Sequence, residues 1–359
     1  MMATKSRLML LILFLIISGI RTTIYGQQLH EAFRKVHQSV VTVRTKEIDV
    51  SNSSNQVISI IDGLGSGVLI SADGKILTAA HMVQTADATS VEFPDGQEIT
   101  ARVIGSDVRS DVALLQLKQI PTGIVPATLG DSNKVEVGDQ IFVIGAPYGI
   151  SQTLTAGHLS GRHWLDKNDE SSTSVEFLQT DAAVNGGSSG SPVFNSDGEV
   201  VGIVSRIMSR SGGSEGLAFA TASNTAKRLL LARPPFWSGI DGLLVTGDLA
   251  KALNLPQPAG FLVQRIGAGS IGSSLGLNPG TMRATIQGTD IILGGDVILS
   301  VNEIQITSAS TADQVADVAS DDSYERIYNC IGVLKLGDNL VVRVFREGRV
   351  VTLSAPVER

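Results

Sequence analysis

The sequence predicts a mainly β chain, folded as a sandwich or a pair of barrels and followed by a smaller β-rich unit. Three observations carry that expectation. Short runs rich in Val, Ile and Leu recur between turn residues, without the βαβ alternation of a parallel sheet. Asp-Gly pairs stand between such runs at Asp73-Gly74, Asp95-Gly96 and Asp197-Gly198, and Asp-Gly accepts the positive φ of a tight hairpin. Glycine supplies 38 of 359 residues and aromatics only 4%, a balance suited to turns and strands rather than long helices, whose interiors glycine weakens.

The elements follow in order. Lys5 and Arg7 precede the apolar stretch Leu8 to Ile20, which Arg21-Thr22-Thr23 ends. A bilayer span takes about 20 apolar residues, so residues 1–26 read as a secretory signal cleaved near Gly26. Uncleaved, the segment is a membrane anchor. Either way the body of the chain is expected to be periplasmic or secreted. Leu29, Phe33 and Val36 recur at helical spacing. Strands are expected at Val40–Arg44, Gly67–Ile70, Lys75–Ala79, Ile99–Ile104, Val112–Leu117, Gln140–Ile144, Val175–Gln179, Glu199–Ser205 and Leu217–Thr221. Ser223 is placed to cap a helix reaching Ala232, and Pro234-Pro235 would stop it. The domain boundary is drawn there, between residues 27–233 and 234–359. Beyond it come a strand near Ile240, a helix at Asp248–Leu253 and strands at Gly260–Arg265, Asp296–Val301 and Leu340–Phe345, the last running into a turn at Glu347-Gly348. A helix is expected near Ala312–Ala319, while Asp321–Ile331 fits no element.

Charge and cysteine usage narrow the functional classes. The formal net charge is −7 and no basic run stands out, which excludes a nucleic-acid surface that must displace counterions. Cys330 is the single cysteine, so neither an internal disulfide nor a cysteine zinc site can form; it reads as a small buried hydrophobe. No metal or cofactor is called for.

Of the five histidines, His30, His37, His81, His158 and His163, only His81 follows an apolar strand ending in small residues, Ile76-Leu77-Thr78-Ala79-Ala80. An isolated histidine is more often a satisfied structural residue. Small neighbours, however, leave this ring room to turn against a partner. Asp111 stands immediately before the apolar Val112-Ala113-Leu114-Leu115. Carboxylates at strand ends are common, but a buried one can fix a histidine tautomer and stabilise the imidazolium. Ser189 lies in Asn185-Gly186-Gly187-Ser188-Ser189-Gly190-Ser191-Pro192. A flexible Gly/Ser linker has no purpose between two strands of one domain. A serine nucleophile, by contrast, needs neighbouring amides aimed at a developing oxyanion, and glycine permits the required backbone angles.

Chain order separates the serine-hydrolase types. The same loop fits a Gly-x-Ser-x-Gly elbow centred on Ser188, but that arrangement needs a histidine after the serine, and the last histidine is His163. An Asp–His–Ser order through Asp62 or Asp73 belongs to an α/β fold. His81, then Asp111, then Ser189 is the order of the chymotrypsin-like double β-barrel.

The chain resembles the HtrA (Deg) serine proteases carrying one PDZ domain. The matching stretches are Gly65-Ser66-Gly67-Val68, Leu77-Thr78-Ala79-Ala80-His81, Ser110-Asp111-Val112-Ala113-Leu114, Thr180-Asp181-Ala182-Ala183-Val184-Asn185, Gly187-Ser188-Ser189-Gly190 and Gly216-Leu217-Ala218-Phe219-Ala220. The family usually has Pro, Asn and Gly where this chain has Gly186, Ser188 and Ser191, which puts the resting order of the loop in question. The resemblance implies catalytic His81, Asp111 and Ser189, with an oxyanion hole from the backbone of Gly187, Ser188 and Ser189. It implies a specificity pocket at Ala183, Leu217 and Ala218. Six positions before the nucleophile stands Ala183, where trypsin-like relatives selecting basic residues carry an acid, so cleavage is expected after small or medium apolar residues. Ser238-Gly239-Ile240 resembles the loop by which a PDZ domain takes a peptide's terminal carboxylate. The resemblance also implies a homotrimer, unfolded or damaged protein substrates, activation when a peptide fills the PDZ domain, and Arg162 as the nearest match to an activating arginine. Two rivals are a catalytically idle chaperone and a PDZ peptide-sensing scaffold, and both must explain why all three triad residues are present.

Overall fold

Val40-Val41-Thr42-Val43 opens the first strand, its β-branched side chains suiting a pleated surface better than a helix. The computed structural model describes residues 29–49, 59–165, 174–286, 288–307 and 322–357. The expected signal segment and the helix near Ala312–Ala319 lie outside them. A helix over residues 29–36 (α1) packs Ala32 and Val36 beneath the barrels. The chain then forms β1 (Val40–Asp49), β2 (Ser59–Leu69), β3 (Lys75–Thr78), the one-turn helix α2 (Ala80–Val83), β4 (Ala88–Glu92), β5 (Glu98–Asp107) and β6 (Val112–Leu117). These strands close a barrel in the order β1-β2-β3-β6-β5-β4, with β4 returning to pair antiparallel with β1.

A second barrel follows the same plan. It comprises β7 (Gln140–Gly145), β8 (Thr153–Trp164), β9 (Glu176–Thr180), β10 (Pro192–Asn195), β11 (Val200–Ile207) and β12 (Ala218–Ala222), closed in the order β10-β11-β12-β9-β8-β7. Each barrel has its own interior, while Val68, Leu77, Leu114, Phe142, Ile144, Phe194 and Ile203 form a shared layer between them. Phe142 and Phe194 stack there at 5.1 Å. Burying seams on both sides fixes how the barrels face each other, which is what a site built across them requires. The Asp-Gly pairs are hairpin corners, with Gly74 and Gly96 at φ 85° and Gly198 at φ 77°.

The helix after β12 differs from its expected cap. It runs as α3 (Ser223–Ala226) into a wider turn over Lys227–Leu231. Ser223 is its first residue, and its hydroxyl donates to Gly130 O at 2.8 Å, so the side chain anchors the helix to a loop instead of capping it. Past Pro234-Pro235 come β13 (Ile240–Thr246), α4 (Gly247–Ala252), β14 (Ala259–Ile266), α5 (Ile271–Ser274), β15 (Met282–Ile286), β16 (Thr289–Leu293), β17 (Val297–Val301), β18 (Ile304–Gln305), α6 (Asp322–Val333), β19 (Asn339–Arg346) and β20 (Arg349–Pro356). Their sheet order is β13-β14-β17-β19-β20, and among the described residues one edge of β13 has no partner strand. Asp296, 1% exposed, is neutralised by a two-pronged Arg346 guanidinium at 2.7 and 2.6 Å. Ser106 N donates to Phe236 O at 3.0 Å and Arg265 pairs with Glu47 at 3.2 Å, joining this sheet to the first barrel. Among the described residues, no helix is long and apolar enough to cross a membrane.

Candidate active site

β3 ends in Thr78, and buried Ala79 and Ala80 let the chain turn at once into α2, which carries His81. Asp111 lies in the turn between β5 and β6. Its backbone is left-handed, φ 54°, a conformation that strains a non-glycine residue by about 1–2 kcal/mol. The turn is held from inside. Asp107, 5% exposed, accepts from Ser110 N and Ser110 Oγ, both at 2.7 Å, while Thr221 Oγ1 donates to Ser110 O.

The two groups meet closely. Asp111 Oδ1 accepts from His81 N at 2.9 Å, and His81 Nδ1 lies 3.0 and 2.9 Å from the two carboxylate oxygens. An ionised carboxylate only accepts, so Nδ1 carries the proton and Nε2 is left as the base. Burial of the ring works against its protonation. The hydrogen bond and charge of Asp111 outweigh that, and His81 titrates above its ordinary value. Ser205 Oγ supplies a further donor to Asp111 Oδ2 at 2.6 Å.

Ser189 stands between Gly187 (φ 93°) and Gly190 (φ 83°). A Cβ on Gly187 would press on Ala146 O and Tyr148 N. One on Gly190 would run into Ser66 O and Thr78 Oγ1. The loop is stitched to the first barrel by Ser66, whose N–H donates to Ser189 O (2.8 Å), whose hydroxyl donates to Gly187 O (2.9 Å), and whose Oγ accepts from Ala146 N (2.9 Å). Among the described residues, the amides of Gly187 and Ser189 have no backbone acceptor, whereas Ser188 N is bonded to Asn185 O at 2.9 Å. The Ser188 amide, expected beside those of Gly187 and Ser189 at the oxyanion, is instead turned into the loop. No hydrogen bond joins the Ser189 hydroxyl to His81 or to any other described residue. The histidine–aspartate half is formed, and the serine contact is open.

This arrangement offers a base, an orienting carboxylate, a hydroxyl and two free amides, the requirements of acyl transfer. Comparison with known proteins agrees. The model of the Trypsin-like peptidase domain matches residues 65–203. A probable periplasmic serine endoprotease DegP-like from Pseudomonas putida is 36% identical over 303 residues, 75% of this chain and 61% of its own length. A probable periplasmic serine protease do/HhoA-like from Haemophilus influenzae is 39% identical over 260 residues, 69% of this chain and 53% of its own length. Among solved structures, a serine-to-alanine form of the HtrA-type protease AlgW with a decapeptide aligns with TM-score 0.51 and 27% identity, covering 91% of this chain and 96% of that one. The chain is similar to the HtrA-type serine proteases over most of its length. It spans between about half and three-fifths of the length of these two curated relatives.

The remaining expected residues sit as follows. Ala183 is exposed, with its carbonyl accepting from Thr155 Oγ1 at 2.9 Å, and Leu217 is 38% exposed. Ala218 is buried in the interior of the second barrel, so its methyl group faces the core. The loop 209–216 is closed by Glu215, which accepts from Ser211 N and Arg210 N; the Ser211 side chain, together with those backbone bonds, holds its carboxyl down to about 2. Ser214 links that loop to the nucleophile loop through Asn185 at 3.0 Å. Arg162 is locked in the second barrel by Glu176 at 2.6 Å and Val135 O at 2.9 Å. Ser238, Gly239 and Ile240 form the entry to β13, with Gly239 at φ 63° and Gly239 O accepting from Gly267 N at 2.7 Å. Sequence reasoning missed Ser205 and the structural role of Ser66. No local pattern marks either serine, although Ser66 lies within a matched stretch.

Proposed function

We propose that this chain is a serine endopeptidase of the cell envelope acting through an acyl-enzyme, with residues 27–233 as protease and 234–359 as a PDZ domain. The observation that carries the proposal is Asp111 orienting His81 opposite a serine flanked by two amides without acceptors. His81 Nε2 takes the Ser189 proton as Oγ attacks the scissile carbonyl. Asp111 stabilises the imidazolium, and the amides of Gly187 and Ser189 take up the oxyanion, a contribution of about 3–4 kcal/mol per donor. The imidazolium then protonates the leaving amine, and water releases the acyl group. The names of the relatives favour a periplasmic setting.

The PDZ reading rests on the open edge of β13, where an extended peptide can add as a strand. Beside it, a cleft of about 510 Å³ runs between β13 and α6, lined by Leu244, Phe261, Ile298, Ile327 and Ile331. Such a cleft suits a peptide ending in an apolar residue whose carboxylate meets the Ser238–Ile240 loop. Unfolded proteins are the expected substrates and a homotrimer the expected assembly. A serine-reactive fluorophosphonate should label Ser189, and digestion of an unfolded protein should vanish in Ser189→Ala. Digestion persisting in that variant would sink the mechanism. An intact wild type that neither digests nor labels would favour the idle chaperone.

A further inference from the structure

The end of β11 has one uncovered edge. β10 pairs with it only as far as Ile203, opposite Pro192, and the nucleophile loop makes the last contact there, Gly190 N donating to Val204 O at 2.8 Å. The other edge stays covered, because Arg206 and Ile207 pair with Phe219 and Ala218 of β12. Among the described residues, Ser205, Arg206 and Ile207 thus present an edge without a partner strand, which begins beside the Ser189 loop and leads away from it.

An extended substrate fits that edge. Neighbouring strands in this barrel pair antiparallel. A chain antiparallel to β11 here runs toward Ser189, so it is the part of the substrate before the scissile bond. The last residue before the bond then stands opposite Ser205, the second opposite Arg206 and the third opposite Ile207. Directly opposed side chains share a face, and the next one on that face lies diagonally within reach of a long side chain. The second and fourth residues before the bond therefore share the face of Arg206.

The bulge at Ser205 aims that side chain. Two consecutive residues turn toward the first barrel: Ser205 Oγ reaches Asp111, and the Arg206 guanidinium lies 4.7 Å from the centroid of Phe177. Phe177 belongs to the layer shared by the barrels, so the cation is held in the cleft between them. With Val108 and Leu165 it lines one end of the cavity of about 510 Å³. Arg109 and Arg233, on the same cavity, are stacked on Tyr324 and Tyr328. Arg206 is exposed, and among the described residues its guanidinium has no carboxylate or other hydrogen-bond acceptor. The carboxylates of the adjacent turn are committed, Asp107 to Ser110 and Tyr324, Asp111 to His81 and Ser205.

We propose that Arg206 is a specificity-determining residue, whose guanidinium selects substrates with an acidic side chain on the face it shares, at the second or fourth residue before the scissile bond. This deepens the protease reading and rests on it. The net charge of −7 by itself disfavours acidic peptides, so a preference for them has to come from a local cation.

The test uses the full chain and quenched peptides with a small apolar residue before the cut, carrying Glu or Lys at the second, third or fourth position before it. Wild type should cleave the Glu peptide with kcat/KM about tenfold above its Lys counterpart at the second or fourth position, the scale of a charge-assisted hydrogen bond, and show no preference at the third. Arg206 does not touch the reacting atoms, so the difference should lie in KM with kcat little changed. It should shrink in about 0.5 M salt. Arg206→Met keeps an unbranched stem over Phe177 and should bring the ratio near one, and Arg206→Glu should invert it. Each ratio is internal to one enzyme, so a general loss of activity in a variant leaves it readable. Should neither variant fold by thermal melting, the wild-type ratio and its salt dependence decide. A wild-type ratio near one, a preference that persists in the variants, or one confined to the third position would overturn the inference while leaving the protease reading intact. Cleavage of no peptide, with no fluorophosphonate label on Ser189, would overturn both.

Discussion

Removing the hydroxyl of Ser205 tests the site where its geometry is most specific. Along β11 the ladder passes from Val204 opposite Ala220 to Arg206 opposite Phe219, so Ser205 is the extra residue of a bulge. Its side chain, 3% exposed, reaches Asp111 Oδ2 at 2.6 Å. In Ser205→Ala that oxygen keeps only the His81 Nδ1 contact at 2.9 Å. A hydrogen bond to a charged group contributes about 1.5–3 kcal/mol. Since about 1.4 kcal/mol is a factor of ten in rate, full expression in the transition state would lower kcat by roughly 10–100-fold. The bond exists in the ground state too, so only the part that orients the carboxylate counts, and the lower end of about tenfold is expected. A second effect has the opposite sense. Without a competing donor, more of the Asp111 charge is available to the imidazolium, so the acid limb of the pH–rate profile should move upward. The assay is kcat and kcat/KM on a quenched peptide across pH, with thermal melting to confirm the fold. Wild-type kcat with an unmoved acid limb would refute the reasoning, provided that Ser189→Ala is inactive in the same assay.

Proteolysis should rise with pH through a midpoint above about 6.5, because Asp111 holds His81 protonated against the effect of burial and the base must be neutral. The stability contribution of that pair has the reverse dependence: complete below the unfolded histidine's value, it is lost as pH rises through the folded one, which stability measured across the same pH range would reveal. A flat rate between about pH 5 and 8 would exclude a histidine base. Gly190→Ala should cost about 3 kcal/mol or more in a denaturant melt and abolish turnover, because the methyl meets Ser66 O and Thr78 Oγ1 on a backbone at φ 83°. Ala183→Asp should move cleavage from small apolar residues toward Lys and Arg in a peptide-library profile, and an unchanged profile would remove Ala183 from the pocket.

Much of the fold was legible because short-range chemistry dictated it. Asp-Gly corners and β-branched runs need no distant partner to be recognised. The elements that escaped had weak local patterns. β8, Thr153–Trp164, holds Gly157, Gly161 and two histidines, and it is strand because β7 and β9 pair with both its sides. β10 begins at Pro192, which a strand tolerates at its first position but which reads as a breaker. The helix α6 fell in the stretch left without an element, although Tyr324, Ile327, Tyr328 and Ile331 follow a helical period and face one cleft.

The site divides along the same line. His81, Asp111 and Ser189 could be chosen because chemistry limits the residue types and chain order excludes rivals. Ser66 and Ser205 could not, since their partners lie 121 and 94 positions away and any serine would read alike. The departures in the nucleophile loop show how distant contacts decide a local question. Gly186 adds freedom, yet Tyr148 N donates to its carbonyl at 2.7 Å, and Ser188 closes on Asn185 through both its amide and its hydroxyl. Ser191 N returns to Ser188 O, and Ser191 O accepts from Val204 N at 2.8 Å. The loop is ordered by these bonds rather than by proline. Ser191 itself carries the cost: its hydroxyl is buried without a hydrogen-bond partner among the described residues, a burden of about 1–3 kcal/mol that a glycine there would not bear. Stability is therefore given up within two residues of the nucleophile, in a loop whose remaining bonds keep the amides of Gly187 and Ser189 free for the oxyanion.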